Sequence, residues 1–279
     1  MKGYKLRILI FLCLLFAGII NPVQAQVERI ISLAPHATEL AFAAGLGDKL
    51  VAVSEYSDYP PQAEKLEKVA NYQGINLERI LKLQPDLVIV WPSGNPAKEI
   101  AKLKQLGLTI YSTETKTLED IATNIEQLSQ YADNPQIGKN AAHNFRQSLA
   151  IFKQRYHTSS KVRYFYQLSE KPIITLAQDS WPSEVFRFCG GENIFADSPS
   201  PYPQVGIEQV LLANPDAIFT SEHAIKNGHM WSKWQQQLFA VQHDFVWSLT
   251  SDWLNRPTPR TLNAIEEVCD HFAHIRQKR

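Results

Sequence analysis

Apolar and polar positions follow two rhythms along the chain. Short runs rich in β-branched and aromatic residues, at Arg29–Leu33, Leu50–Ser54, Leu87–Val90, Leu108–Ser112, Val162–Leu168 and Phe245–Leu249, predict strands. Between them apolar residues recur at spacings of three and four. That spacing predicts helices over Pro35–Ala44, up to Leu106, over Leu118–Tyr131, near Trp231–Phe239 and over Pro257–Ile275. Gly45 and Gly107 follow the first two helices and suit left-handed C-caps. Pro182–Cys189 reads as a further helix and Ile173–Ala177 as an apolar hairpin or strand. Tyr56–Pro61, Trp91–Pro96, Asp197–Pro203 and Thr250–Arg256 carry the Pro, Asp and Ser of loops. Strands alternating with helices at this spacing predict an α/β fold with mainly parallel sheets covered on both faces.

One unit occurs twice. Residues 72–90 run from Tyr72 through Glu78 and Pro85-Asp86 into Leu87–Val90. Residues 202–220 run from Tyr202 through Glu208 and Pro215-Asp216 into Ala217–Thr220, offset by 130. Each copy is a short amphipathic helix with an acid in its first turn, stopped by Pro-Asp and followed by a strand. Two such units so far apart predict two related lobes. Between them, Asn134-Pro135 opens a helix whose Ile137, Ala141, Phe145, Leu149, Phe152 and Tyr156 form one apolar stripe. About 22 residues at about 1.5 Å each span about 33 Å, the width of a small domain. The expected division is a leader at 1–25, an N-terminal lobe at 26–134, a rigid connecting helix at 135–158 and a C-terminal lobe at 159–279.

The leader is read from Lys2, Lys5 and Arg7 before an apolar run at Ile8–Ile20, with Val23-Gln24-Ala25 as the small-x-small ending of a cleavable secretory signal. Its removal takes three from the 28 basic residues and none from the 28 acidic, leaving a net charge of about −3 and no basic footprint for nucleic acid. Cys13 goes with the leader, and Cys189 and Cys269 remain. In an oxidising compartment a disulfide is the default for an even pair, with two buried thiols as the alternative.

The loops after the strands hold Tyr56, Tyr59, Tyr72, Trp91, Tyr202, Asp252, Trp253 and Arg256. Loops beyond the carboxyl ends of parallel strands form the ligand crevice of such sheets. Aromatics from both halves would grip a large, flat, mostly apolar ligand, with Asp252 and Arg256 on its polar edges. For any one ring, core packing is an equal account. Glu78 and Glu208 sit where the helix dipole alone favours an acid, while their pairing across the repeat suits a partner with two-fold symmetry. No nucleotide loop, nucleophile elbow or metal-protease motif is present. An enzyme using Asp252 and His36 is the competing class and lacks those motifs. Of the histidines, His223 and His229 match no helical ligand pair, whereas His36 lies in a strand-helix loop expected to open toward the crevice.

Ser32-Leu-Ala-Pro-His-Ala-Thr-Glu39, Tyr56-Ser-Asp-Tyr-Pro-Pro61, Gln73-Gly-Ile-Asn-Leu-Glu78, Cys189-Gly-Gly-Glu-Asn-Ile-Phe195, Pro203-Gln-Val205 and Thr250-Ser-Asp-Trp253 with Arg256 appear in order along nearly the whole chain. Together they resemble the periplasmic vitamin B12-binding family, the substrate-binding components of cobalamin ABC importers. The resemblance implies two Rossmann-like lobes joined by a long helix, a non-enzymatic monomer in the periplasm, and cobalamin as transported ligand rather than cofactor. It implies a cobalamin site at Tyr56, Tyr72, Trp91, Leu168, Tyr202, Asp252 and Arg256, with His36 near cobalt or a corrin side chain. It further implies docking of Glu78 and Glu208 on a permease homodimer driven by ATPase subunits, and a Cys189–Cys269 bond. Tyr72 and Tyr202 stand where the best-known member carries tryptophan, and Leu168 where it carries phenylalanine, which alters the area offered to a corrinoid. Receptors for haem, a siderophore or another metal chelate share this architecture and are the alternative.

Overall fold

Ile30–Ser32 (β1), Leu50–Ser54 (β2), Glu67–Asn71 (β3), Gly74–Ile75 (β4), Leu87–Val90 (β5) and Ile110–Ser112 (β6) form one sheet of order β4-β3-β2-β1-β5-β6. Only the β3–β4 pairing is antiparallel. The structure is a computed structural model that describes residues 26–177, 180–222 and 228–279. The leader and His223 lie outside the described residues, as does the side chain of His229. Both faces of this sheet are covered, and successive residues of its central strands are apolar at Ile30-Ile31 and Leu87–Val90. Ile30, Leu87 and Ile89 enter one core, and Ile31, Val88 and Val90 enter the other. Pro35–Ala43 (α1) and Leu118–Leu128 (α4) pack on the first face, and Leu77–Leu83 (α2) and Ala97–Gln105 (α3) on the second. Gly45 and Gly107 have φ of +84° and +83°, the left-handed conformation their positions after α1 and α3 call for.

A second sheet, order β10-β7-β11-β12 and wholly parallel, contains Val162–Gln167 (β7), Gly191–Asn193 (β10), Ala217–Ser221 (β11) and Val246–Leu249 (β12). Ser169–Glu170 (β8) and Ile173–Ile174 (β9) form a small hairpin beyond β7. Its helices are Ser183–Phe188 (α6), Ile207–Ala213 (α7), Phe239–Gln242 (α8), Ser251–Asn255 (α9) and Thr261–Lys278 (α10). Cys189, just after α6, is bonded to Cys269 of α10 across a separation of 80 residues.

The repeat extends further than its sequence showed. Strands β2-β1-β5-β6 of one sheet correspond in order to β10-β7-β11-β12 of the other. In both, the helix of the repeat ends on a left-handed residue, Gln84 (φ 48°) or Asn214 (φ 42°). The next Asp then locks the following strand to its neighbour. Asp86 Oδ2 accepts from the Arg29 amide at 2.9 Å, and the Asp86 amide donates to the Arg29 carbonyl at 2.8 Å. Asp216 and Arg163 repeat this at 2.6 and 2.8 Å. Each arginine also donates to a carbonyl of the helix end, Leu83 or Ala213. The Pro-Asp pair thus stops the helix and sets the register of the strand that follows.

Gln136–Arg155 (α5) runs between the sheets. Its Ala142 and Phe145 enter the first lobe's core, Phe152 packs on the second lobe's core, and Leu149 touches both. Trp181 and Leu262 also touch both cores, so apolar packing continues from one lobe to the other.

Several predicted elements are corrected. The expected loop at 250–256 contains the short helix α9, stabilised by an Asp252–Arg256 pair one turn apart. The expected helix near 231–239 is a 3₁₀ segment, Gly228–Trp234, followed by α8. The last helix begins at Thr261 rather than Pro257, because Thr258, Pro259 and Arg260 form the turn that enters it. The sequence pattern does not predict strands β3, β4, β8 and β10.

Candidate functional site

In a parallel sheet all strands end on one edge, and in both sheets that edge carries the predicted ligand residues. His36 follows β1, Tyr56 follows β2, Tyr72 follows β3 and Trp91 follows β5. Leu168 follows β7, and Asp252 lies in the first turn of α9, directly after β12. Tyr202 comes from a separate segment hydrogen-bonded alongside residues 173–177. Ala177 and Thr175 amides donate to the Pro201 and Pro203 carbonyls at 2.9 and 3.1 Å.

The two edges face each other, because charged side chains beyond the strands of one sheet bond to side chains beyond those of the other. Arg256, at the end of α9, places Nη1 at 2.6 Å and Nη2 at 3.3 Å from the two carboxylate oxygens of Asp58, in the loop after β2. Its Nη2 is 2.9 Å from Asp252 Oδ1, and its Nη1 is 3.4 Å from Glu39 Oε1 on α1. Arg260 grips the same Glu39 bidentately, at 2.9 Å through Nε and 2.5 Å through Nη2. The Arg260 guanidinium also lies over the Tyr59 ring, 4.2 Å from its centroid. Glu39 is fully enclosed, its side chain 2% exposed, so each of its oxygens depends on these arginines. The Arg256 guanidinium hydrogen-bonded to Asp58 holds that carboxyl below the usual carboxylate range. Arg256, expected to address a ligand's polar edge, is thus also the strap between the lobes.

The aromatic residues in the loops at these edges have unequal support. Tyr56 is 69% exposed and held at φ 61°, a left-handed conformation that a bulky residue adopts only under constraint. The constraint is visible in its neighbour. Ser57 is buried, and its hydroxyl lies 3.0 Å from Thr38 Oγ1 and 3.1 Å from Ser54 Oγ; Thr38 in turn donates to Ser32 Oγ at 3.0 Å. Fixing Ser57 inward turns the Tyr56 ring outward. Tyr72 forms the tip of the β3–β4 turn and is 85% exposed, and Tyr202 is 52% exposed. Trp91 is 38% exposed and anchored. Its amide donates to Asn95 Oδ1 at 2.8 Å, while Asn95 Nδ2 donates to the Leu33 carbonyl at 2.9 Å. Leu168 is half-buried against the second core.

His36 does not open into the crevice. It is 4% exposed, with Nε2 3.3 Å from Thr113 Oγ1 and its ring edge-to-face with Trp91 at a centroid distance of 5.2 Å. Burial pushes its pKa down to about 4, so the ring is neutral near pH 7. Among the described residues no group of three or more His, Cys, Asp or Glu side chains is placed to hold a metal ion.

Glu78 and Glu208 occupy equivalent first-turn positions of α2 and α7, and both are exposed. The Asn76 side chain caps α2 by accepting from the Arg79 amide at 3.0 Å. At α7 the N-cap is Gly206, which has no side chain to cap with, and Gln209 Oε1 instead accepts from the Gly206 amide at 2.7 Å. Neither glutamate side chain supplies these bonds, and both carboxylates are exposed where a partner can reach them.

Glu39, Asp58 and Arg260 were not singled out in the sequence; Tyr59 was, as one of the loop aromatics, and it lies under Arg260. The available signal was a lone acid, Glu39, inside the apolar run Ala37–Ala44 of α1. Its partners lie more than 200 positions away, beyond the reach of any local pattern.

A family model described as periplasmic binding protein matches residues 30–244. The chain is 62% identical over 273 residues to a vitamin B12-binding protein of Vibrio parahaemolyticus, covering 98% of this chain and 99% of that one. It is 69% identical over 245 residues to the vitamin B12-binding protein of Vibrio cholerae, covering 88% and 89%. The crystal structure of the periplasmic vitamin B12 binding protein of Vibrio cholerae superposes with a TM-score of 0.88 at 67% identity, covering 91% of this chain and 99% of that one. A periplasmic heme-binding protein of Roseiflexus shares the fold at 21% identity, with a TM-score of 0.77 and coverage of 89% and 99%. These relatives are binding proteins. Two parallel sheets meeting edge to edge, a helix packed on both cores and a match over most of the chain lead to one assignment: the chain belongs to the periplasmic binding protein family.

Proposed function

We propose that the protein captures vitamin B12 (cobalamin) between its lobes in the periplasm and delivers it, as transported ligand, to the permease of an ABC importer powered by separate ATPase subunits. The observation that carries this reading is the meeting of the two carboxyl edges through Arg256 and Asp58, with Tyr56, Tyr72, Trp91 and Tyr202 exposed in the loops of those edges. A corrin is broad and apolar on its faces and rimmed by amides, which matches aromatic walls with a polar base. The strong identity to vitamin B12-binding proteins of two Vibrio species supports the same ligand.

In this reading Tyr56, Tyr72, Trp91, Leu168 and Tyr202 cover the corrin. Asp252 and Arg256 address amide or nucleotide groups, and Glu78 and Glu208 meet basic residues on two permease subunits. The lobes span 26–134 and 159–279 with 135–158 between them, and the free protein is a monomer without catalytic activity. The lobes need little rearrangement, because Glu39, Arg256, Arg260 and Asp58 already tie them together.

Titration of the purified protein with cyanocobalamin, haemin and a ferric siderophore tests the ligand. Saturable one-to-one binding of cyanocobalamin is expected. Binding of haemin or siderophore alone, with none of cyanocobalamin at micromolar levels, would defeat the proposal.

A further inference from the structure

Trp91 differs from the three tyrosines in being held from several sides. Gly94 lies directly against the indole: a Cβ built on Gly94 would stand 1.9 Å from Trp91 Cε3 and 2.1 Å from Cζ3. Only a residue without a side chain allows the ring to rest there. The Gly94 and Asn95 amides return to the Trp91 carbonyl at 3.1 and 2.7 Å, closing a tight turn under the ring. Asn95 clamps the turn to the end of β1 through Leu33, and Ser93 Oγ donates to Glu114 Oε1 at 2.6 Å, fixing it to the segment after β6. His36 packs at right angles to the indole, 89° between planes, and its Nε2 meets Thr113, whose hydroxyl donates to the Val90 carbonyl at 3.0 Å. Among the described residues no aromatic ring or cation stacks on Tyr56, Tyr72 or Tyr202.

We propose that His36, Gly94 and Asn95 are positioning residues that hold the Trp91 indole in its ligand-receiving orientation before ligand arrives, and that His36 acts through Trp91 rather than as a ligand to metal. The inference rests on the reading that Trp91 contacts cobalamin. Side chains ordered on binding subtract from affinity, and a ring already fixed does not. The anchored tryptophan is therefore the preformed half of the site, and the exposed tyrosines are the adaptable half.

The test is one mutant cycle and one pair of substitutions, read by cyanocobalamin affinity. Gly94 is exposed in its loop, so Gly94→Ala displaces the indole while leaving the cores intact, which a thermal melt checks. Gly94→Ala is expected to weaken binding about tenfold in the native background and to have no effect once Trp91→Ala is present. His36→Ala is expected to weaken binding about threefold to tenfold. His36→Phe, which keeps a ring but no nitrogen, is expected to restore it. Equal losses from Gly94→Ala with and without Trp91, or failure of His36→Phe to restore what His36→Ala loses, would overturn the proposal. Failure of the unmodified protein to bind cyanocobalamin would instead strike the ligand assignment.

Discussion

Glu39 is the residue whose loss separates the lobes most directly. Replacement by Gln keeps its size and one acceptor oxygen but removes the charge that two half-buried arginines share. The bonds at stake are those to Arg260 at 2.9 and 2.5 Å and to Arg256 at 3.4 Å. Breaking one partner of a buried pair costs about 3–5 kcal/mol, because the other charge stays out of water uncompensated. Arg256 keeps Asp58 and Asp252, so the burden falls on Arg260, whose side chain is 16% exposed and retains the Tyr59 ring. The expected loss is accordingly about 2–3 kcal/mol. For a chain of this size that is about 5–10 °C in Tm. Urea unfolding followed by circular dichroism measures it. Paired replacement of Glu39 and Arg260 by Leu should recover most of the loss, since removing both charges avoids the orphaned one. A Glu39→Gln change within about 0.5 kcal/mol of the parent would refute the view that this carboxylate holds the strap.

Three further outcomes are expected. His36 has a folded pKa of about 4 against an ordinary value of 6.5. The unfolded chain therefore binds its proton first, and this contribution to stability is constant above pH 6.5 and lost as pH falls toward 4, about 3 kcal/mol in all. The difference in unfolding free energy between the parent and His36→Phe across that window measures it, and parallel curves would contradict the burial argument. Reducing the Cys189–Cys269 bond, which closes 80 residues, should cost about 4.5 kcal/mol on the chain-entropy model, read by unfolding with and without reductant. Replacing Glu78 and Glu208 together by Ala should abolish uptake into vesicles carrying the transporter, with cyanocobalamin affinity unchanged and stability altered by under about 1 kcal/mol per site. A fall in affinity would reassign both residues.

What the sequence revealed depended on whether the physics was local. The two helix-strand units were legible because Pro85-Asp86 and Pro215-Asp216 punctuate them, and α5 was legible because its apolar stripe runs for five turns. Strand β3 was hidden: Glu67 and Lys68 at its start are charged and partly or fully exposed, and it lies near the sheet edge, where no alternating or continuous apolar run is required. Strand β10 is an edge strand of three residues, Gly191–Asn193, too short for any period to register. Helix α9 has five residues and is held by the Asp252–Arg256 pair and its tertiary surroundings rather than by an amphipathic stripe.

The candidate site divides the same way. The aromatics could be found because, as a set, they recur in the loops after strands of both halves, although for any one ring core packing was an equal account. The Cys189–Cys269 pair needed only a count. The strap of Glu39, Asp58, Arg256 and Arg260 could not be found, since its bonds join positions that only the finished fold brings together. His36 was misplaced for a related reason. It stands in the first turn of α1 rather than in a loop, at the carboxyl edge, and Trp91 and Thr113 arrive from beyond β5 and β6 to cover it.

The central claim is that both carboxyl edges form one site for a corrin. The crystal structure of the protein grown with cyanocobalamin tests it most directly. The account predicts the corrin between the lobes, one face toward Trp91 and Tyr56 and another part against Tyr202, with Glu39 still gripped by Arg260. Density for the ligand elsewhere on the surface, with Trp91 and Tyr202 unvisited, would contradict it.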